Sequence, residues 1–199
     1  MAKDFKNIYQ FRIELRVIKP AIWRVIQVPE NYSFWDLHVA IQDAMGWFDG
    51  HLHEFEMEGP IKGIRVNIGI PDEDFDDDRT LNEWEQPISK YISLENSKAN
   101  YTYDFGDNWE HRIKLQKILT REENVTYPRC INGKRACPPE DCGGYWGYEE
   151  ILQIIKDPNH EQYEETIEWL DGQYDPEHFE PDEVFFDDPA DRLKFMQSI

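Results

Sequence analysis

Tyr9, Phe11, Ile13, Leu15 and Val17 alternate with Gln10, Arg12, Glu14 and Arg16. A period of two over nine residues predicts a strand buried on one face. Lys19-Pro20 breaks the alternation, and Ile22 to Val28 follows closely enough to return as the second arm of a hairpin. The period then changes. Ser33 followed by Asp36 resembles a capping box with Asp in place of Glu, and Phe34, Leu37, Ile41, Ala44 and Met45 recur at helical spacing up to Gly46, which predicts a helix over 34–45. Further strands are expected at His53 to Met57, Ile64 to Ile68, Tyr101 to Phe105 and His111 to Leu119. Helices are expected at Tyr148 to Lys156, Glu161 to Leu170 and Pro189 to Gln197, separated by Asp157-Pro158, Asp171-Gly172 and the Asp- and Pro-rich run from Asp175 to Pro189.

Strands early, one helix after the first hairpin and helices late describe an α+β chain. The expected architecture is a mixed, mostly antiparallel sheet with an early hairpin-helix unit and a helical C-terminal third. The opening order is shared with β-grasp-like sheets, although order alone does not fix connectivity. No internal repeat is present, and residues 1–199 read as a single domain with a sheet-rich part (1–137) and an acidic helical part (138–199).

A chain of 199 residues with 40% hydrophobic and 14% aromatic content can bury a proper core. The start, MAKDFKNIYQF, lacks the apolar run of a signal peptide, and no uncharged apolar stretch approaches the ~18 residues of a membrane span. A cytoplasmic protein with no membrane partner is expected. Three cysteines, an odd number, argue for free thiols or metal ligands rather than a disulfide framework.

The net charge of −20 is unevenly placed: Pro138 to Ile199 holds 18 acidic and 3 basic residues. Between Arg112 and Arg135 seven basic residues stand against Glu122 and Glu123, and this stretch is expected to face the acidic tail. A duplex-binding protein needs a dominant positive surface to neutralise phosphates, so nucleic acid is excluded as a partner.

Several segments carry candidate chemistry. Asp72, Asp74, Asp76 and Glu83 fall at positions 1, 3, 5 and 12 of a calcium loop, but Asp77 occupies the position that needs Gly and a strand precedes it, so a solvated acidic loop is expected. Cys130, Cys137 and Cys142 are thiols at short spacing, with Asn132-Gly133 favouring a tight turn between the first two. Zinc is the cofactor such a set would take, with His111, His51 or His53 as fourth ligand. The Cys-x6-Cys-x4-Cys spacing is not standard for zinc, and metal-free cysteines are the reading preferred. Gly143-Gly144 before a helix invites a phosphate cradle, but Glu149 and Glu150 are expected to fill the first turn and repel an anion. In YDFGDNWEH, Asp104, Asp107 and His111 project polar groups around a glycine turn while Trp109 packs. Asp107 is expected to bond its own backbone. In HLHEF, His51 and His53 at i, i+2 on a strand would share one face.

The ordered set LRVIKPAIWR, FWDLHVAIQDAMGW, HLHEF, YDFGDNWEH, RACPPEDCGGYWGYEE and DPNHEQYEETIEWLDGQYDPEHF resembles the plasmid pRiA4b open reading frame 3-like family over roughly residues 6–186. The resemblance implies a small intracellular prokaryotic-type protein of α+β fold and brings no particular reaction with it. A resolvase label attached to some relatives finds no recombinase-like serine arrangement here.

Two functions from different classes follow. One is a non-enzymatic binding module, in which an aromatic groove of Trp109, Tyr145, Trp146 and neighbouring polar residues recognises a protein or small ligand. The other is a metal-dependent hydrolase using His51, His53, Asp104, Asp107, His111, Glu140 or Asp141. The turn at 105–109, the 137–144 segment and HLHEF are expected to converge in space, because each combines glycines, aromatics and acidic or imidazole groups beyond what its local structure needs.

Overall fold

A computed structural model describes residues 5–71, 80–172 and 174–196. The acidic run at positions 72–78 lies outside them. Strands β1 (Asn7–Leu15) and β2 (Trp23–Pro29) pair antiparallel with Phe11 opposite Ile26, as the alternation predicts. β1 stops before Val17, which takes a left-handed φ of 74° and turns its side chain to solvent. Helix α1 (Phe34–Met45) has the expected bounds. The Ser33 hydroxyl accepts from the Asp36 N–H and the Asp36 carboxylate accepts from the Ser33 N–H, while Gly46 closes the helix in a left-handed conformation.

Strands β3 (His53–Glu58), β4 (Arg65–Gly69) and β5 (Thr80–Asn82) follow, then the short helix α2 (Ile88–Tyr91) and strands β6 (Lys98–Tyr103), β7 (Trp109–Thr120) and β8 (Arg129–Lys134). The strands form one sheet in the order β5-β4-β3-β6-β7-β1-β2-β8, antiparallel throughout except for the parallel β4–β5 pair. This supplies the connectivity that element order leaves open. Helices α3 (Gly144–Ile154), α4 (Tyr163–Trp169) and α5 (Pro189–Met196) occupy the C-terminal third. Among the described residues no helix is long and apolar enough to cross a membrane.

Sequence periodicity misses β8, because Asn132-Gly133 reads as a reversal. Both residues instead lie within β8, at the place where its register against β2 shifts between Val25 and Ile26. The extra residue at the shift is Ile131, and past it Asn132 and Gly133 continue the strand opposite Val25 and Arg24. Cys130 and Cys137 are therefore not the two arms of a hairpin.

One face of the sheet carries the core, in which Phe11, Ile13, Ile26, Phe55, Tyr101 and Ile113 meet Phe34, Leu37 and Ile41 of α1, all fully buried. The opposite face is polar and carries a ladder across four strands. Arg129 Nε donates to Gln27 Oε1 (2.7 Å), Gln27 Nε2 to Gln10 Oε1 (2.9 Å) and Gln10 Nε2 to Gln116 Oε1 (3.1 Å), so each amide satisfies the next.

The tail is strapped to the β8 edge and to α1. The Ala136 N–H donates to the Pro176 carbonyl (3.1 Å), Arg135 pairs with Glu177 (2.7 Å), and the Phe179 ring lies over both Gly133 and the Arg24 guanidinium. Arg24 is itself buried, donating to the Ala44 carbonyl in the last turn of α1 (2.8 Å). Arg192 of α5 pairs with Asp43 of α1 (2.6 Å), and the Trp35 indole donates to the Pro189 carbonyl. The expected meeting of basic stretch and acidic tail is thus made by Arg135, whereas Arg129 pairs with Glu122 of its own connection.

Candidate functional site

YDFGDNWEH forms the turn between β6 and β7, with Tyr103 opposite Trp109 and both rings buried. Asp104 and Asn108 take left-handed φ values of 55° and 57°, and Asp104 Oδ1 accepts from the Gly106 N–H (2.8 Å). Asp107 does not bond within its own turn as expected. Its Oδ2 accepts from the Gly143 N–H (3.2 Å), the residue that caps α3. Close approach dictates glycine on the other side: a Cβ on Gly144, whose φ is +67°, would stand 2.6 Å from the Asp107 carbonyl oxygen. Helix α3 begins at Gly144 rather than Tyr148, so Glu149 and Glu150 lie beyond its first turn and the Asp107 carboxylate meets the helix end instead.

The loop after α1 joins this junction. His51 Nε2 lies 3.0 Å from Asp141 Oδ1 and 3.8 Å from Asp104 Oδ2. Glu140 accepts from the Phe48 N–H (2.5 Å) and from the Tyr103 hydroxyl, which in turn accepts from the Gly50 N–H (3.0 Å). The ligand atoms of His51, Asp104 and Asp141 lie within 4.8 Å of one another. His51, Asp104, Asp107, Glu140 and Asp141 thus come together from three distant segments.

His53 does not share their face. β3 begins at His53, so His51 precedes the pleat that a shared face requires. His53 is buried, bonded through Nε2 to Glu83 (2.7 Å) and stacked on the His38 ring with centroids 3.4 Å apart and planes 3° from parallel. Glu83, a candidate calcium ligand by spacing, is fully buried here. His38 Nε2 meets Asp49 Oδ1 (2.7 Å) and Nδ1 meets the Tyr101 hydroxyl (2.8 Å), which also accepts from Gln42 Nε2. Burial, then the neighbouring His53, push the His38 pKa down to about 4. The neutral ring therefore donates from Nε2 to Asp49 and accepts the Tyr101 proton at Nδ1. His38, Asp49 and His53 also place ligand atoms within 4.8 Å of one another. Parallel imidazoles direct their lone pairs side by side instead of toward a common point, which suits hydrogen bonding better than a shared ion.

His111 is likewise a core residue. It is fully buried on β7, with Nδ1 3.3 Å from the Tyr101 carbonyl and its ring edge against Trp47. Burial pushes its pKa down to about 4. The cysteines do not gather around it: among the described residues, the groups of three ligand atoms contain no cysteine and no His111. All three thiols are free. Burial raises Cys130 and takes Cys137 and Cys142 up to about 12, so they stand as protonated thiols.

A cleft of about 540 Å³ opens beside this junction, between the loop after α1, the 137–141 segment and the end of α4. Its aromatic walls are Trp47, Phe48, Trp169 and Tyr174, its carboxylates are Glu140, Asp141 and Asp171, and His51 stands among them. A shallower space of about 320 Å³ against α4 shares Asp141 and Trp169 with it. The groove expected from Trp109, Tyr145 and Trp146 does not form, because Trp109 is buried under Trp47, and Tyr145 and Trp146 lie outside the cleft lining.

The model of the plasmid pRiA4b ORF-3-like protein family matches residues 7–183. The chain belongs to that family. It is similar to the uncharacterised protein y4hQ of Sinorhizobium fredii, 34% identical over 163 residues that cover 82% of this chain and 80% of that one. It is also similar to MM3350 of Methanosarcina mazei, a protein of unknown function whose crystal structure superposes with a TM-score of 0.86 at 51% identity, covering 92% of this chain and all of that one.

In this pRiA4b ORF-3-like protein, sequence reasoning misses His38, Asp49 and Glu83 in the buried network and Trp47, Trp169 and Tyr174 in the cleft. One signal was present. His38 and Gln42 interrupt the apolar face of α1 four residues apart, and such an interruption requires polar partners across the core. Trp169 and Tyr174 carry no comparable mark, since a tryptophan ending an acidic helix is compatible with any packing.

Proposed function

We propose that this protein is a non-enzymatic binding module of the cytoplasm whose cleft beside His51 and Glu140 takes a small ligand or the side chain of a protein partner. One observation carries the reading. Phe48 and Trp169, 90% and 51% exposed, line a cleft of about 540 Å³, a volume in the range of small-molecule sites. Exposed rings of this size lose free energy in water unless something covers them. Duplex DNA is not the partner proposed, because the net charge of −20 opposes phosphate.

The test uses protein labelled with 5-fluorotryptophan and a fragment set balanced among cations, anions and neutral compounds. The ¹⁹F resonance of Trp169, assigned by its loss in Trp169→Phe, is expected to shift in a saturable way with members of the set. A set that leaves this resonance unmoved refutes the cleft as a ligand site.

A second reading, a metal-dependent hydrolase, is favoured by the convergence of His51, Asp104 and Asp141 at the cleft rim. A divalent ion there would keep open positions for a water whose pKa it lowers. Titration with Mn²⁺ and Zn²⁺ is expected to show one equivalent bound in the parent and none in His51→Ala. Equal binding in both excludes this centre.

A further inference from the structure

Every fixed charge on the cleft wall has the same sign. Glu140, Asp141 and Asp171 line it, and neither Lys nor Arg does; Glu165 extends the same sign into the adjoining space against α4. The imidazole of His51 is held by Asp141. An anionic ligand entering this space would be repelled without a compensating partner, so electrostatic complementarity selects a cation.

The hydrogen bonds along the lining point the same way. Along the lining, the main-chain N–H groups of Gly46, Trp47, Phe48, Gly50, Leu170 and Asp171 are all bonded within the protein, and Pro138 and Pro139 carry none. The Trp47 indole donates to the Pro138 carbonyl (2.9 Å) and the Tyr174 hydroxyl donates to the Cys137 carbonyl (3.0 Å). The wall therefore offers carboxylate acceptors and π faces, with several of its donors already spent within the protein. A ligand that brings N–H donors, positive charge and an apolar stem satisfies all three properties, with the charge against the Trp169 and Phe48 faces.

Resting on the binding-module reading above, we infer that the cleft binds a small organic cation, an alkylammonium or guanidinium group on an aliphatic stem. The cleft is a pocket of small-molecule volume rather than an extended groove, which points to a free amine as the source.

The test is calorimetry of the full chain with pentylammonium, agmatine, pentanol and pentanoate, of which pentylammonium, pentanol and pentanoate are five-carbon chains that differ in charge. Pentylammonium and agmatine are expected to bind roughly tenfold more tightly than pentanol, as a cation over exposed aromatic faces should, and pentanoate not at all. Trp169→Ala and Asp171→Asn, both at exposed positions, are expected to weaken the cations several-fold, whereas Glu123→Gln in the β7–β8 connection leaves them unchanged. Pentanol or pentanoate binding as tightly as pentylammonium overturns the inference. So does cation binding that Trp169→Ala and Asp171→Asn leave intact, since the ligand would then be a counterion of the acidic surface. A pentapeptide with one central lysine binding more tightly than pentylammonium overturns the free-amine source. If the Trp169 fluorine resonance responds to pentanoate or pentanol and not to the cations, the cleft remains a ligand site and the cation inference alone fails.

Discussion

His38 and His111 carry opposite roles from those their sequence surroundings suggest. His111, flanked by acidic and aromatic residues, invites catalysis or zinc, yet it is a neutral core residue. His38 sits unnoticed in an apolar helix face and anchors the buried chain from Asp49 to Tyr101 and Gln42. Both have folded-state pKa values of about 4, below the 6.5 of an unfolded chain. Between those values the unfolded state binds protons that the folded state refuses, so stability is full above pH 6.5 and falls as pH drops toward 4. Each ring contributes a slope of about 1.4 kcal/mol per pH unit inside that window. Urea midpoints between pH 7 and 4.5 are expected to fall steeply, and His111→Phe to lose roughly half of the slope assigned to the pair. A variant with the parent's slope would mean that His111 titrates normally. Gly147 is a second position where one atom decides. A Cβ there would stand 1.7 Å from the Cys142 carbonyl oxygen, and no rotamer relieves a backbone clash. Gly147→Ala is expected to cost roughly 2 kcal/mol or more and to detach Gly143 from Asp107; thermal melting checks it, and an unchanged midpoint contradicts it.

Among the elements, α1 is the one the sequence specifies at both ends, because its caps are made by neighbours within four residues. Ser33→Ala removes the hydroxyl that accepts from Asp36 and is expected to cost about 1 kcal/mol, read as a lower urea midpoint with an unchanged m value; no change would assign the N-terminus to the Gln86 carbonyl that accepts from Phe34. β1 and β2 are legible for the same local reason. β5, α2 and β8 are not: β5 has three residues and is held by its parallel neighbour β4, and β8 is held by β2 across a bulge. The junction of His51, Asp104, Asp107, Glu140 and Asp141 was legible as composition, since each segment holds more glycine, aromatic and acidic residues than its local structure needs. Its partition was not. Whether an imidazole faces Asp141 or Glu83 depends on where β3 begins, and the aromatic wall depends on α4 returning to the loop after α1.

At the scale of the whole molecule, the surplus of negative charge has to be weighed against the polar sheet face, where basic residues of several strands stand together. Arg12 pairs with Glu14 (2.9 Å), Arg16 with Glu110 (2.7 Å), and Arg65 with Glu56. Lys98 of β6, opposite Lys114, and Arg112 and Lys114 of β7 are exposed on that face, a small group of cations on a molecule of net charge −20. Exposed pairs of this kind contribute little to stability, about 0–1 kcal/mol each, but they remove from the surface the charge that a phosphate backbone would require. Neutralising only a few phosphates releases few counterions and gives a shallow salt dependence, while the remaining surface repels the duplex at every separation within a Debye length. Fluorescence anisotropy with a labelled 20-base-pair duplex in physiological salt is therefore expected to show no saturation at micromolar protein. Sub-micromolar binding that weakens steeply with added salt would mean that the sheet face acts as a local positive surface despite the net charge. The same field has the opposite sign for a cationic ligand: association of pentylammonium with the cleft should slow as salt rises, and a salt-independent rate would place the recognition in the aromatic contacts alone.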